Sequence, residues 1–270
     1  MFMCQVPLVE ISVIEVRRMG LCARDSVKKP PVIPLKDNVP TRKFPIATVS
    51  LIVANAIVWV WELKGRGVDY RVAKDGYYPC TLHGPCEAIR VGSSVLRHHL
   101  PWWEGTFTSM FMHGSWEHIL GNMLFLWIFG NNVEDALGPV RFLLWYLTAG
   151  VAAMALQTFV TVSFGTARDA SIPNIGASGA IAGVLGAYFL LLPRARVLTA
   201  IFFGLIFLRE IPAVWFLGVW IALQIWEGGL GLTHPDQTGG VAVFAHIGGF
   251  AFGLLTVYLV AKRRPLRPRW

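Results

Sequence analysis

Charged side chains are scarce in this chain. Asp, Glu, Lys and Arg make up 15% of its 270 residues, against about 25% in a typical soluble domain. Hydrophobic residues reach 54%, above the usual level of roughly 45–50%, which leaves no room for a soluble domain of ordinary size. Four cysteines are too few for a disulfide-rich scaffold. Collagen-like and disordered compositions are absent as well. No HExxH string occurs, which excludes the zinc-dependent type of intramembrane protease. No apolar span carries Asp or Glu away from its ends, which excludes a buried pair of carboxylates and argues against an Asp-His-Ser triad. Glycine is plentiful, at 27 residues or a tenth of the chain. In so apolar a sequence it points to close-packed membrane helices.

The formal net charge of +8 could suggest a nucleic-acid partner, but its distribution says otherwise. Basic residues gather at Arg17, Arg18, Arg24, Lys28, Lys29, Lys36, Arg42 and Lys43, and again at Lys262, Arg263, Arg264, Arg267 and Arg269. Both groups flank apolar spans, as the positive-inside bias requires. The expected partner is the lipid bilayer, with no nucleic acid.

Residues 1–43 read as a cytoplasmic tail broken by Pro30, Pro31, Pro34 and Pro40. The apolar stretch Val6–Ile14 contains Glu10 and precedes no small-residue cleavage site, so it is a poor signal peptide. Val32, followed by IPLKDN, is an alternative start that would make residues 1–31 an upstream extension. The membrane domain is expected over 44–264, with a basic tail at 265–270. Its spans are read as 44–63, 116–133, 140–164, 174–192, 213–226 and 240–261, the first close to the ~20 residues that cross ~30 Å of hydrocarbon. The segment 197–208 is too short and is read as interfacial. The expected fold class is an all-α polytopic membrane protein of six transmembrane helices, with a long outer loop between the first two. Six spans put both basic termini on the cytoplasmic side, and a bacterial plasma membrane is the expected location.

Polar residues rarely enter a span without a partner or a role. Here His118 and Asn122 sit near the start of the second span, Ser178 of the fourth and His246 of the sixth. All three spans run from outside to inside, so these residues are expected three to seven positions below one outer level. Gly176-Ala177-Ser178-Gly179 would let a serine hydroxyl approach a carbonyl, although Gly179, Gly183 and Gly186 equally read as a helix-packing stripe. Gly249 and Gly253 form a matching pair beside His246, which reads either as a structural histidine or as a general base. His118 and Asn122, four apart, share one helical face and can donate to an oxyanion, together with the Ser178 N–H. His113 is placed in the preceding loop. Cys80 and Cys86, six apart in the outer loop, favour a small disulfide on an oxidising side. The alternative, a metal site with His83, His98 or His99, matches no common zinc spacing.

Three segments carry a resemblance: HGSWEHILGN at 113–122, GASG at 176–179 and AHIGGFAFG at 245–253. Together with Glu134–Gly138 they resemble the signatures of the rhomboid intramembrane serine proteases, in order, over roughly 44–264. The resemblance implies a six-helix rhomboid-type bundle, with Ser178 as nucleophile, His246 as base, and His118 and Asn122 lining an oxyanion hole. It implies single-span membrane proteins as substrates, cut at small residues near the outer face, with no metal or cofactor. Two departures stand out. Trp102-Trp103-Glu104 replaces the Trp-Arg pair many members carry, and Ala182 stands where many have an aromatic beneath the histidine, so His246 must be steadied by other contacts. A catalytically silent helix binder and a transporter are the rival functions. The clustering of polar groups at one level and the lack of an inverted repeat count against the transporter.

Overall fold

The computed structural model describes residues 32–82, 86, 88–96, 100–203, 205–233, 242–263 and 266–268. The expectations for residues 1–31, and for His83, His98 and His99, lie outside these. Strand β1 (Val32–Asp37) leads to helix α1 (Ile46–Glu62). The long connection that follows holds α2 (Val68–Asp75), the hairpin β2 (Ile89–Val91) and β3 (Ser94–Leu96), and α3 (Trp102–Ser109). Within it, Cys80 and Cys86 are joined by a disulfide. Helix α4 (Trp116–Phe125) runs through a π-helical stretch, Leu126–Gly130, into α5 (Asn131–Leu137) without a break. Next come α6 (Pro139–Phe164), α7 (Ala167–Ala170), α8 (Ser178–Leu191), the strands β4 (Arg196–Phe203) and β5 (Leu205–Pro212), α9 (Ala213–Thr233) and α10 (Val243–Val260).

Helices α6, α9 and α10 are long and apolar enough to cross a membrane, whereas α1 and α8 are apolar but shorter. The all-α expectation is corrected. Strands β1, β4 and β5 form an antiparallel sheet in that order, so 197–208 is part of a hairpin and residues 32–37 are an edge strand. The physical reason lies in the period: Ala195, Val197 and Thr199 are buried in alternation, the mark of a strand. A short apolar run read without that period is ambiguous. Pro34 fits here because it sits on an edge strand, beside a register irregularity.

Carboxylates hold the ends of α1. Glu134 accepts from the N–H of Ala47 (3.0 Å), the N–H of Thr48 (2.8 Å) and the Thr48 hydroxyl (2.7 Å), filling donors that a helix start leaves open. Next to it, Asp135 pairs with Arg42 at 2.7 Å. At the other end, Glu62 accepts from the backbone N–H of His113.

Helix α8 is the centre of the fold, with every residue from Gly179 to Tyr188 buried. Its neighbours approach to backbone contact. A Cβ on Gly249 would strike the carbonyl of Gly179, and one on Gly253 the carbonyl of Gly183. One on Gly186 would strike the carbonyl of Phe250, and on the other side a Cβ on Gly183 would lie 2.8 Å from that of Ala149 on α6. With 14 residues, α8 is roughly 21 Å long, about 9 Å short of the hydrocarbon thickness. The sheet follows its C-terminal end, and Ser178 stands at the opposite end.

Candidate active site

Ser178 is the first residue of α8, not several residues into a helix beginning at 174 as the sequence suggested. Pro173 and Gly176 delay the start. Gly176 has φ +119°, and a Cβ there would lie 2.7 Å from His118 Nε2. Both the backbone angle and the space therefore require glycine. The loop is fixed on its other side, where Gly176 N–H donates to Ser109 O (2.8 Å) and Asn174 N–H to Tyr77 O (2.7 Å). No side chain caps α8, which leaves its first-turn N–H groups directed toward the region around the Ser178 hydroxyl.

His246 is the fourth residue of α10, and the glycine contacts between α10 and α8 set its ring beside Ser178. Its Nε2 lies 2.9 Å from Ser178 Oγ, and its Nδ1 lies 2.6 Å from Gln224 Oε1. The Trp220 ring lies 5.7 Å from the imidazole, tilted by 42°. A neutral imidazole carries one N–H. With that proton on Nδ1, facing the Gln224 oxygen, Nε2 presents a lone pair to the serine hydroxyl and can take its proton.

His118 and Asn122 come from α4, whose start is capped by Ser115 Oγ accepting from His118 N–H at 3.2 Å. A long contact of 3.5 Å from Gly114 N–H to His118 Nδ1 favours the tautomer with the proton on Nε2, the atom that faces Gly176 and Ser178. Asn122 is 8% exposed, and its side-chain nitrogen is buried with no hydrogen-bond partner. An unpaired buried donor is costly, and a developing negative charge in the adjoining space would satisfy it. His118, Asn122, Ser178, Trp220 and His246 line one cavity of about 510 Å³, within the range of pockets that enclose a ligand. A separate groove of about 420 Å³, lined by Trp102, Trp103 and Phe159 among others, runs between α3 and α6 and is almost wholly apolar.

The four sequence-derived residues thus meet in one cavity. His113 does not line it: the residue is fully buried, with its ring 5.0 Å from that of His118 and edge-on to it. Ala182 is fully buried and presents no ring. Trp220 and Gln224 were missed. The available signal was a lone glutamine in the otherwise apolar WIALQIW of α9. Among the described residues, no group of three or more His, Cys, Asp or Glu could hold a metal ion.

A model of the rhomboid domain family matches residues 100–263, more than half of the chain. The chain is similar to presenilin-associated rhomboid-like protein A, mitochondrial, of Danio rerio, at 33% identity over 172 residues, 60% of this chain and 40% of that protein. It is similar to rhomboid protein 1, mitochondrial, of Saccharomyces cerevisiae, at 31% over 155 residues, 57% of this chain and 41% of that one. It also matches rhomboid-like protein 11, chloroplastic, of Arabidopsis thaliana, at 29% over 179 residues, 64% and 58% respectively. The chain therefore spans about two-fifths to three-fifths of the length of these relatives. It belongs to the rhomboid family and is an integral membrane protein.

Proposed function

We propose that this rhomboid-family protein is an intramembrane serine endopeptidase, with Ser178 as nucleophile and His246 as general base. The observation that carries the reading is the 2.9 Å approach of His246 Nε2 to Ser178 Oγ beside a cavity of about 510 Å³. Ser178 Oγ attacks a peptide carbonyl as Nε2 takes the hydroxyl proton. The carbonyl oxygen becomes an oxyanion facing His118 Nε2–H, Asn122 Nδ2–H and the Ser178 N–H at the start of α8. His246 then returns its proton to the leaving amine and activates a water to release the acyl group. This sequence needs no metal or cofactor.

The proposed substrates are single-span membrane proteins cut at small residues near the outer face, since the site lies at the N-terminal end of α8, opposite the sheet. Six spans are proposed: α1, the continuous 116–137 run, α6, α8, α9 and α10. Arg42, Arg141, Arg194 and Lys262 lie at the sheet end, the positive and therefore cytoplasmic side. Both termini would lie there, with the site opening to the other face. A bacterial plasma membrane is the proposed location, and the mitochondrial and chloroplastic labels belong to the relatives that carry them.

The test is cleavage in proteoliposomes of single-span reporters with small residues at the outer end of the span. Products should form with the wild type and be absent with Ser178→Ala and His246→Ala. Equal cleavage by Ser178→Ala, or none by folded wild type across a reporter panel, would remove the assignment.

A further inference from the structure

We propose that Gln224 is a positioning residue for His246, holding the imidazole in the tautomer whose Nε2 accepts the Ser178 proton. The proposal rests on the hydrolytic reading above and assigns it a third member. Gln224 Oε1 lies 2.6 Å from His246 Nδ1, and the ring's other nitrogen lies 2.9 Å from Ser178 Oγ. The three groups thus form a line in which one proton position decides the chemistry. Facing an amide oxygen, Nδ1 carries the proton and Nε2 is a base. Facing the amide NH2 instead, Nδ1 would be bare and Nε2–H would point at the serine, with no base present.

A glutamine suits this place physically. Among the described residues no carboxylate bonds to His246, so a neutral acceptor orients the ring without burying a charge. Gln224 does not act alone. Trp220, one turn before it on α9, lies against the same imidazole, on a ring that Ala182 leaves without an aromatic from α8. Helix α9 therefore supplies both contacts that α8 does not.

Gln224→Leu should lower kcat about a hundredfold while KM and the melting temperature stay within error. An ionised orienter is worth ~10⁴ when its loss gives the wrong tautomer, and a neutral one less. Gln224→Glu, an acceptor only, should restore most of the rate. The imidazole ¹⁵N spectrum of His246 in the full chain reads the tautomer whether or not any peptide is cut. Wild type should show a protonated Nδ1 and a bare Nε2, and Gln224→Leu should lose that preference. A bare Nδ1 in the wild type, or a Gln224→Leu spectrum unchanged from it, would overturn the proposal even if Ser178 proves to be the nucleophile. The expected spectra without Ser178-dependent cleavage would overturn the hydrolytic reading and leave the positioning intact. Gln224→Glu no faster than Gln224→Leu in an enzyme that cleaves would also count against it.

Discussion

Helices α8 and α9 both reach the same imidazole, yet they are held in opposite ways. Every residue of α8 from Gly179 to Tyr188 is buried, and its backbone touches that of α10. In α9, among the described side chains, only Ala213, Leu217 and Gly228 are buried, while Trp215 and Trp226 are 68% and 66% exposed. The proposed nucleophile thus sits on the most enclosed helix, and the groups proposed to steady its base sit on an apolar helix with exposed tryptophans. Close packing fixes Ser178 and the backbone of His246. The imidazole's final orientation depends on two side chains of a loosely surrounded element.

The strongest way to break this contrast is Gly253→Leu. The new side chain meets the carbonyl of Gly183 with no path to relax, so a destabilisation at or above the usual ~1–3 kcal/mol for overpacking is expected. Trp215→Leu on the open face of α9 should stay within about 0.5 kcal/mol. Thermal unfolding in detergent compares the two, and equal losses would erase the distinction.

Asn122→Ala should lower turnover by about 10²–10³ with little change in melting temperature, since it removes a donor that has no partner at rest. Steady-state kinetics on a reporter checks this, and unchanged turnover would take Asn122 out of the oxyanion role.

The anchored lower end of α8 gives a pH test. Asp37 accepts from the Tyr188 hydroxyl (2.5 Å) and from Asn132 (2.7 Å). Burial nevertheless pushes its carboxyl up from 3.8 to about 6, against the Tyr188 and Val39 hydrogen bonds that pull it down. The folded state thus holds the proton more tightly than the unfolded chain. The resulting stability is present in full below the unfolded value of 3.8 and is lost as pH rises to about 6. That decline is on the order of 3 kcal/mol at most. Asp37→Asn keeps an acceptor and should flatten it in a melting series across that window. The same slope in the variant would contradict this.

The smallest effect should come from Trp220→Leu. An aromatic contact of ~0.5–1.5 kcal/mol predicts a kcat about two- to tenfold lower, with KM unchanged. A larger effect on KM would make Trp220 a substrate contact instead.

The residues that line the candidate site were legible because polar groups stand out in apolar spans. Ser178, His246, His118 and Asn122 all reach one cavity, and the glycines that set the α8–α10 approach were readable as a stripe. What was not legible depends on contacts distant in sequence. The partner that Trp220 and Gln224 meet on α10 is not named by the α9 sequence, where the lone glutamine in an apolar run was the one available mark. Glu134 capping α1 across 87 positions gives no local signal either. The start of α8 at Ser178 was hidden because Gly176 is permissive in sequence yet adopts a left-handed φ only in this loop. The β4–β5 hairpin was missed because a short apolar run was weighed by its length and not by its alternation.

The most direct measurement is a fluorophosphonate reaction on the purified full chain, with the modified residue mapped by peptide analysis. The account predicts label on Ser178 that is absent in Ser178→Ala and lost in His246→Ala, because the hydroxyl is activated only through Nε2. Label on Ser178 at the wild-type rate in His246→Ala, or no label on folded wild type, would contradict it.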